Sequence, residues 1–206
     1  MFWNYFIMIV LISSILSMDK LYKQVKIHKT TMIIALSGKA GSGKSTVAKE
    51  LAKKLNLKHY SIGDLMREIA KDRNISLNKL SKLAEKDESI DLELDKKQID
   101  LRDKTDFIID GRLTAYFLPF ADLKVFLDCA DNIRAERILI ENRDDEKSNN
   151  SKELIKKIKQ REKSERTRYE KLYKIDYYNP KLYDLMIDTT DLSIIEVIDE
   201  IMKAVN

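Results

Sequence analysis

Met32-Ile33-Ile34-Ala35-Leu36-Ser37-Gly38-Lys39-Ala40-Gly41-Ser42-Gly43-Lys44-Ser45-Thr46 runs from five apolar residues straight into a glycine-rich turn. From Gly38 onward every fixed position of the phosphate-loop pattern G-x-x-x-x-G-K-[ST] is met. The apolar run predicts a buried strand. Beyond the turn, Val47, Leu51 and Leu55 recur at helical spacing, with Lys49, Glu50, Lys53 and Lys54 on other faces. Strand, glycine turn and helix are the context in which the pattern carries meaning. Gly38, Gly41 and Gly43 let the backbone turn its N–H groups inward. The first helical turn adds unpaired N–H groups and a positive dipole end, which together suit phosphate oxygens. Gly38, Lys39, Ala40, Gly41, Ser42, Gly43, Lys44, Ser45 and Thr46 are therefore expected to hold ATP or GTP. Lys44 would reach the β- and γ-phosphates, and Ser45 would offer its hydroxyl to Mg²⁺. The loop alone leaves open what happens to the phosphate.

Working outward, the pattern alternates. Strands are expected at Lys58 to Ser61, Phe107 to Ile109, Leu123 to Leu127 and Tyr183 to Ile187. Helices are expected at Asp64 to Lys71, Ser76 to about Lys86, Ile90 to about Lys104, Asn132 to Ile140, and Lys152 to about Lys171. Ser193 and Glu196 form a capping box for a last helix to Met202. Strands alternating with helices imply a mostly parallel sheet covered on both faces, an α/β fold. Ligands of such sheets lie beyond the carboxyl ends of the strands, so Gly38, Asp110 and Asp128 should gather on one edge.

Composition bounds the function. The 206 residues suit one domain, and 44% hydrophobic content is ample for a core. Residues 1–31 hold Lys20, Lys23, Lys26 and Lys29 against Asp19, a net +3 of the chain's +4. The body is thus close to neutral, which argues against a nucleic-acid partner. A lone cysteine, Cys129, excludes an internal disulfide and suits a reducing compartment such as the cytoplasm. Residues 1–18 bear no charged side chain, yet are marginal for a membrane span of about 20 residues. They lack the charged start and the cleavage site of a secretory signal. The expectation is that residues 1–31 are a non-native extension, with translation starting at Met32 or Met18. The alternative is an apolar anchor or interfacial segment.

Three further signals sit outside the loop. Asp110, ending an apolar strand, matches the acidic residue that supports Mg²⁺ in phosphate-loop folds, with Arg112 two residues on. Gly63-Asp64-Leu65-Met66-Arg67 begins a helix and offers a guanidinium fork suited to phosphate. Arg134, Arg137, Arg143, Arg161, Arg166 and Arg168 cluster around the polar stretch from Arg143 to Ser151, as a closing lid would require. Surface ion pairing with Glu162, Glu165 and Glu170 is the ordinary reading of the same arginines.

Taken in order, these segments resemble the cytidylate kinases, most closely the compact archaeal-type branch, over Met32 to Val205. The resemblance rests on Gly38 to Thr46, Ser61 to Arg67, Asp110-Gly111-Arg112, Asp122 to Asp128, Arg161 to Tyr169 and Tyr183 to Thr189. It implies a three-layer P-loop nucleoside monophosphate kinase fold with a central parallel five-stranded sheet and a helical lid. In that fold residues 32–206 form one kinase domain. A monophosphate-binding region would span about 61–104 and a lid about 141–160. The implied reaction moves phosphate from ATP, with Mg²⁺, to CMP or dCMP, giving CDP or dCDP. Ser61, Asp64, Arg67 and Arg112 would hold the acceptor. Lys44, Arg112, Arg166 and Arg168 would serve transfer, with Arg134, Arg137, Arg143 and Arg161 in the lid and Ser45 and Asp110 at the metal. Leu113 stands where larger bacterial relatives carry a cytosine-reading acid, and their large insert is absent. A monomer with small-molecule nucleotide partners is expected. The rivals are a sister kinase acting on UMP or AMP, a membrane-tethered nucleotide-binding protein without transferase activity, and a nucleic-acid-directed ATPase.

Overall fold

The computed structural model describes residues 31–141 and 151–205. The chain divides after Thr31, and everything that follows concerns the unit Met32–Asn206. The amino-terminal segment and Arg143 lie outside the described residues. Among those described, no helix is long and apolar enough to cross a membrane.

Five strands, β1 (Ile33–Gly38), β2 (Lys58–Ser61), β3 (Phe107–Asp110), β4 (Leu123–Asp128) and β5 (Leu185–Asp188), form one parallel sheet ordered β2-β3-β1-β4-β5. β1 is central. The chain first crosses to one side of it for β2 and β3, then to the other for β4 and β5. That reversal opens a crevice beyond the carboxyl end of β1, where loops to either side diverge. Register places Leu36 opposite Asp110, Ser61 opposite Asp110 and Gly38 opposite Leu127, so the glycine turn and the β3 carboxylate share one edge.

Eight helices are described: α1 (Lys44–Leu55), α2 (Ile62–Asp72), α3 (Leu77–Ala84), α4 (Ser89–Ile99), α5 (Thr114–Phe117), α6 (Asp131–Ile140), α7 (Ser151–Tyr173) and α8 (Ile194–Val205). The strand period of two sends alternate β1 residues to opposite faces. Ile34 and Leu36 pack with Val47 and Leu51 of α1 and Val197 and Ile201 of α8. Ile33 and Ala35 pack with Leu101, Phe107, Ile109 and Leu118 on the other face. A separate small core of Ile69, Ala70, Leu80, Ala84, Ile90 and Leu94 joins α2, α3 and α4. These three helices thus hold together as a subassembly beside the crevice.

Three helix starts follow sequence chemistry. Ser61 caps α2 by accepting from the Asp64 N–H at 3.2 Å, and Ser76 caps α3 by accepting from Lys79 at 3.2 Å. The capping box of α8 forms as expected: Ser193 N donates to Glu196 Oε2 at 2.8 Å and Glu196 N to Ser193 Oγ at 3.3 Å. Each such cap is worth about 1 kcal/mol. Two departures from expectation stand out. α4 ends at Ile99, not near Lys104, because residues 101–103 form a turn that leads into β3. The short α5 was not anticipated, since four residues carry too little periodicity to be seen.

Candidate active site

The glycine turn is dictated by close backbone approach. A Cβ on Gly38, at φ +145°, would lie 2.2 Å from the Leu127 carbonyl oxygen. One on Gly41, at φ +77°, would lie 2.7 Å from the Arg134 carbonyl oxygen. The turn is thereby wedged between β4 and α6. Ser42 Oγ closes it from within by donating to Lys39 O at 2.9 Å. Lys39 itself points outward to Asp128, 2.7 Å away.

Lys44 is 8% exposed and folds back, its Nζ donating to Lys39 O at 2.6 Å. Burial first, and then the positive charge of Arg112, hold its pKa well below the ordinary lysine value. An ammonium so placed gains most when an anion enters beside it. Ser45 Oγ donates to Asp110 Oδ2 at 2.8 Å. Asp110 is also met by Ser61 Oγ at 3.3 Å and by His59 Nε2, 2.7 Å from its other oxygen. The β3 carboxylate therefore ties β2, β3 and the start of α1 into one polar knot.

Arg112 crosses the mouth of β1. Its Nη1 donates to Gly38 O at 2.6 Å and its Nε to Glu165 Oε2 of α7 at 2.8 Å. Burial opposes charge on both partners. Even so, Glu165 raises the Arg112 pKa and Arg112, with Arg161, lowers that of Glu165. Arg161 Nε approaches the second Glu165 oxygen at 3.5 Å. On the far wall Arg67 of α2 pairs with Asp64, one turn earlier.

One cleft joins Lys44, Asp110, Arg112, Arg161, Glu165 and Arg67. Ala40, Gly41, Gly43, Lys44, Ser45 and Thr46 line one end. Asp110, Arg112, Arg161 and Glu165 line the middle, and Arg67 with α4 residues lines the other end. At that far end the polar face of α4 turns inward: Asp91, Asp95 and Gln98 are each 6% exposed or less. Asp95 receives the Tyr173 hydroxyl, and burial pushes its pKa up to about 6. Ile62, Met66, Leu94 and Leu113 supply apolar surface beside them.

The remaining arginines stand elsewhere. Arg168 is not brought to the phosphate loop. It is buried against Asp91, with Nε to Oδ2 at 2.7 Å, and its Nη1 reaches Ser164 Oγ at 2.7 Å and Ser81 O at 3.2 Å. It fastens α7 to α3 and α4. Arg166 lies on the outer side of α7, paired with Asp176 at 3.0 Å and over the Tyr178 ring at 5.1 Å. Arg134 and Arg137, though three residues apart, go to different partners. Arg134 is 1% exposed between Asp131 and Glu162. Arg137 donates to Thr189 Oγ1 at 2.9 Å and to Thr189 O at 2.7 Å. Both brace α6. Three polar cleft residues, Asp91, Asp95 and Gln98, were not singled out in the sequence, nor was His59 as the partner of Asp110. Glu165 was read only as a surface ion pair, because nothing local marks a carboxylate that will face an arginine fifty-three residues away.

Comparison with known proteins agrees with this geometry. Residues 33–191 match the family described as "Cytidylate kinase-like family". The chain is 41% identical over 165 residues to a protein named cytidylate kinase from Natronomonas pharaonis, covering 79% of this chain and 83% of that one. A cytidylate kinase from Methanosphaera stadtmanae is 37% identical over 175 residues, covering 84% and 98% respectively. Among solved structures, shikimate kinase from Bacteroides thetaiotaomicron superposes with a TM-score of 0.61 at 15% identity, covering 85% of this chain and 98% of that chain. That likeness speaks to the fold alone: a parallel five-stranded sheet carrying a phosphate loop. With its strand order, its glycine turn and its relatives in agreement, the chain belongs to the cytidylate kinase-like family.

Proposed function

We infer that the protein transfers the terminal phosphoryl group of ATP to CMP, and to dCMP, by direct in-line displacement. The observation that carries this reading is the single cleft with Lys44 at one end and the guanidinium groups of Arg112 and Arg67 further along it. A donor triphosphate on the glycine turn and an anionic acceptor held by arginines would meet end to end there. Two anions repel, and the cationic groups between them offset that repulsion while fixing alignment. The acceptor is already a phosphate anion, so no strong general base is needed.

Roles follow from position. Lys44 would exchange its bond to Lys39 O for phosphate oxygens. Arg112 is preset by Glu165 and Gly38 O, so little side-chain freedom remains to be lost when it meets phosphate. Arg67 would share its guanidinium between Asp64 and the acceptor. Arg161 reaches the cleft from α7 and is the described arginine of the proposed lid that does so. Arg166 and Arg168 would act in transfer only after α7 and its partners rearrange. We propose about 61–104 as the acceptor-binding region and about 141–160 as the lid, of which 142–150 lie outside the described residues. Closure would exclude water that otherwise hydrolyses ATP.

Ser45 and Asp110 fit Mg²⁺. Both are oxygen donors beside the glycine turn, linked at 2.8 Å. Among the described residues no group of three His, Cys, Asp or Glu could hold a metal alone. That suits an ion that usually takes one or two protein ligands and completes its shell with phosphate and water. Bound there, it would screen charge on the phosphates. Action as a monomer is part of the same proposal, and the single buried Cys129 supports a cytoplasmic setting.

The test is ADP release measured with CMP, dCMP, UMP, AMP and GMP as acceptors. Release dependent on CMP or dCMP is expected. A nucleotide-binding protein without transferase activity would show none, and a sister kinase would prefer another base.

A further inference from the structure

The far end of the cleft holds a polar group that the described residues leave unanswered. Gln98 Oε1 is buried and has no hydrogen-bond partner among the described residues. Gln98 is 2% exposed overall, and its side chain lines the cleft. Buried side-chain oxygens are nearly always paired, so an orphan on a residue that lines a ligand cleft marks an acceptor kept for something else. The other half of the same amide is committed. Gln98 Nε2 donates to Asp95 Oδ1 at 3.4 Å. The second Asp95 oxygen accepts the Tyr173 hydroxyl, and Tyr173 is itself set edge-on against Phe117 at 5.6 Å.

The sign of this chain matters. An ionised carboxylate only accepts hydrogen bonds, so Asp95 holds the NH₂ side of Gln98 toward itself. A flip of the amide would set oxygen against oxygen. The carbonyl side of Gln98 is therefore the side left for a ligand. A primary amide that could turn freely would suit cytosine and uracil alike, because it can present either its oxygen or its nitrogen. One that is held cannot. Cytosine carries an amino group at position 4, a donor, where uracil carries a carbonyl oxygen, an acceptor.

We propose that Gln98 is the residue that reads the 4-amino group of cytosine, and that Asp95 is a positioning residue that makes the reading selective by fixing the Gln98 amide. The inference rests on the proposed function, since it assigns the acceptor's base to the far end of the same cleft. Cytosine satisfies the orphan oxygen. Uracil sets its own carbonyl against that oxygen and leaves both unpaired. Apolar surface from Met66 and Leu94 beside Gln98 suits the faces of a pyrimidine ring.

The test compares kcat/KM for CMP, UMP and the 2-pyrimidinone ribonucleotide monophosphate, which lacks the 4-amino group, in the wild-type chain, in Gln98→Met and in Asp95→Asn. The wild type is expected to favour CMP over both other acceptors. Gln98→Met keeps the side-chain volume and removes the amide, so both preferences should fall roughly ten- to a hundredfold, with KM for ATP unchanged. Asp95→Asn can present either face to Gln98 and frees its amide to turn. Its CMP-over-UMP preference should fall about tenfold, chiefly through a gain with UMP. A merely structural role for Asp95 would lower all acceptors together. The inference is overturned if the wild type uses the 2-pyrimidinone compound as well as CMP, a measurement that needs no variant. It is also overturned if Gln98→Met keeps the wild-type preferences, or if Asp95→Asn loses them while Gln98→Met does not, which would give the amino group to Asp95 itself. A wild type that phosphorylates no pyrimidine monophosphate refutes the proposed function, and this inference with it. A wild type that prefers CMP with variants unchanged refutes this inference alone.

Discussion

Removing Arg112 should damage stability and transfer by separable routes. Its guanidinium faces Glu165, 4% exposed at the side chain, with Nε to Oε2 at 2.8 Å. Arg112→Met would strand that carboxylate in a buried site. Stranding one member of such a pair costs about 3–5 kcal/mol. Arg161 still approaches the same carboxylate at 3.5 Å, which places the expected loss near the lower bound. Adding Glu165→Gln removes the stranded charge while leaving Arg161 an amide oxygen. The double variant should then recover most of the stability, within about 1 kcal/mol of wild type. Transfer should not recover. A guanidinium–phosphate contact is worth roughly 2–3 kcal/mol, so kcat/KM for CMP should stay about 30- to 150-fold down in both variants. Urea unfolding followed by far-ultraviolet circular dichroism reads the first quantity. ADP release at saturating ATP with CMP varied reads the second. Normal turnover in the double variant would refute the role given to Arg112. A double variant as unstable as the single would refute the buried-pair reasoning.

Three other outcomes are expected. Lys44→Ala should nearly abolish ADP release, by about 10²–10³ or more in kcat, with fold retained by circular dichroism, because the group removed is a buried cation folded against the glycine turn. Gly38→Ala should destabilise the chain by at least about 1–3 kcal/mol in urea titration, since its Cβ would meet backbone rather than a movable side chain at 2.2 Å, in a conformation L residues avoid. Asp95→Asn should change how stability depends on pH. Burial raises the folded-state pKa of Asp95 to about 6, the Tyr173 hydrogen bond opposing and the Asp91 charge assisting. The folded protein therefore holds a proton between its ordinary carboxylate pKa and about 6 that the unfolded chain has released. That favours folding below the window and is lost as pH rises through it. The stability of Asp95→Asn relative to wild type should accordingly rise from pH 4 to 6 and level off above, and a pH-independent difference would contradict the assignment.

Much of this molecule could be read from neighbouring residues. The glycine turn is contiguous, so its pattern named the strand before it and the helix after it at once, and with them the candidate phosphate site. Asp110 was legible because an apolar strand ending in an acid is a local event, and Ser76 and Ser193 because capping is local too. The far end of the cleft was not legible, for a physical reason. Amphipathic reasoning assumes that the apolar face of a helix turns inward. α4 follows that rule only in part, burying Asp91, Asp95 and Gln98 beside Ile90 and Leu94 while leaving Leu92 56% and Ile99 43% exposed, because its inner face also lines a polar cleft. Its sequence accordingly looks like a solvated helix. The long arginine-rich helix misled in the opposite sense. Arg166 and Arg168 lie two apart and so face different directions, one to Asp176 outside and one to Asp91 within. Partners 77 residues apart, as Asp91 and Arg168 are, leave no trace in local spacing.

The most direct test of a shared cleft is a molecule that fills both ends together: cytidine and adenosine joined through their 5′ oxygens by a five-phosphate bridge. Isothermal titration should give one molecule bound per chain, tighter than ATP or CMP alone, and steady-state inhibition should be competitive against both substrates. Inhibition competitive against one substrate and indifferent to the other would mean that the glycine turn and the arginine-lined end serve separate sites.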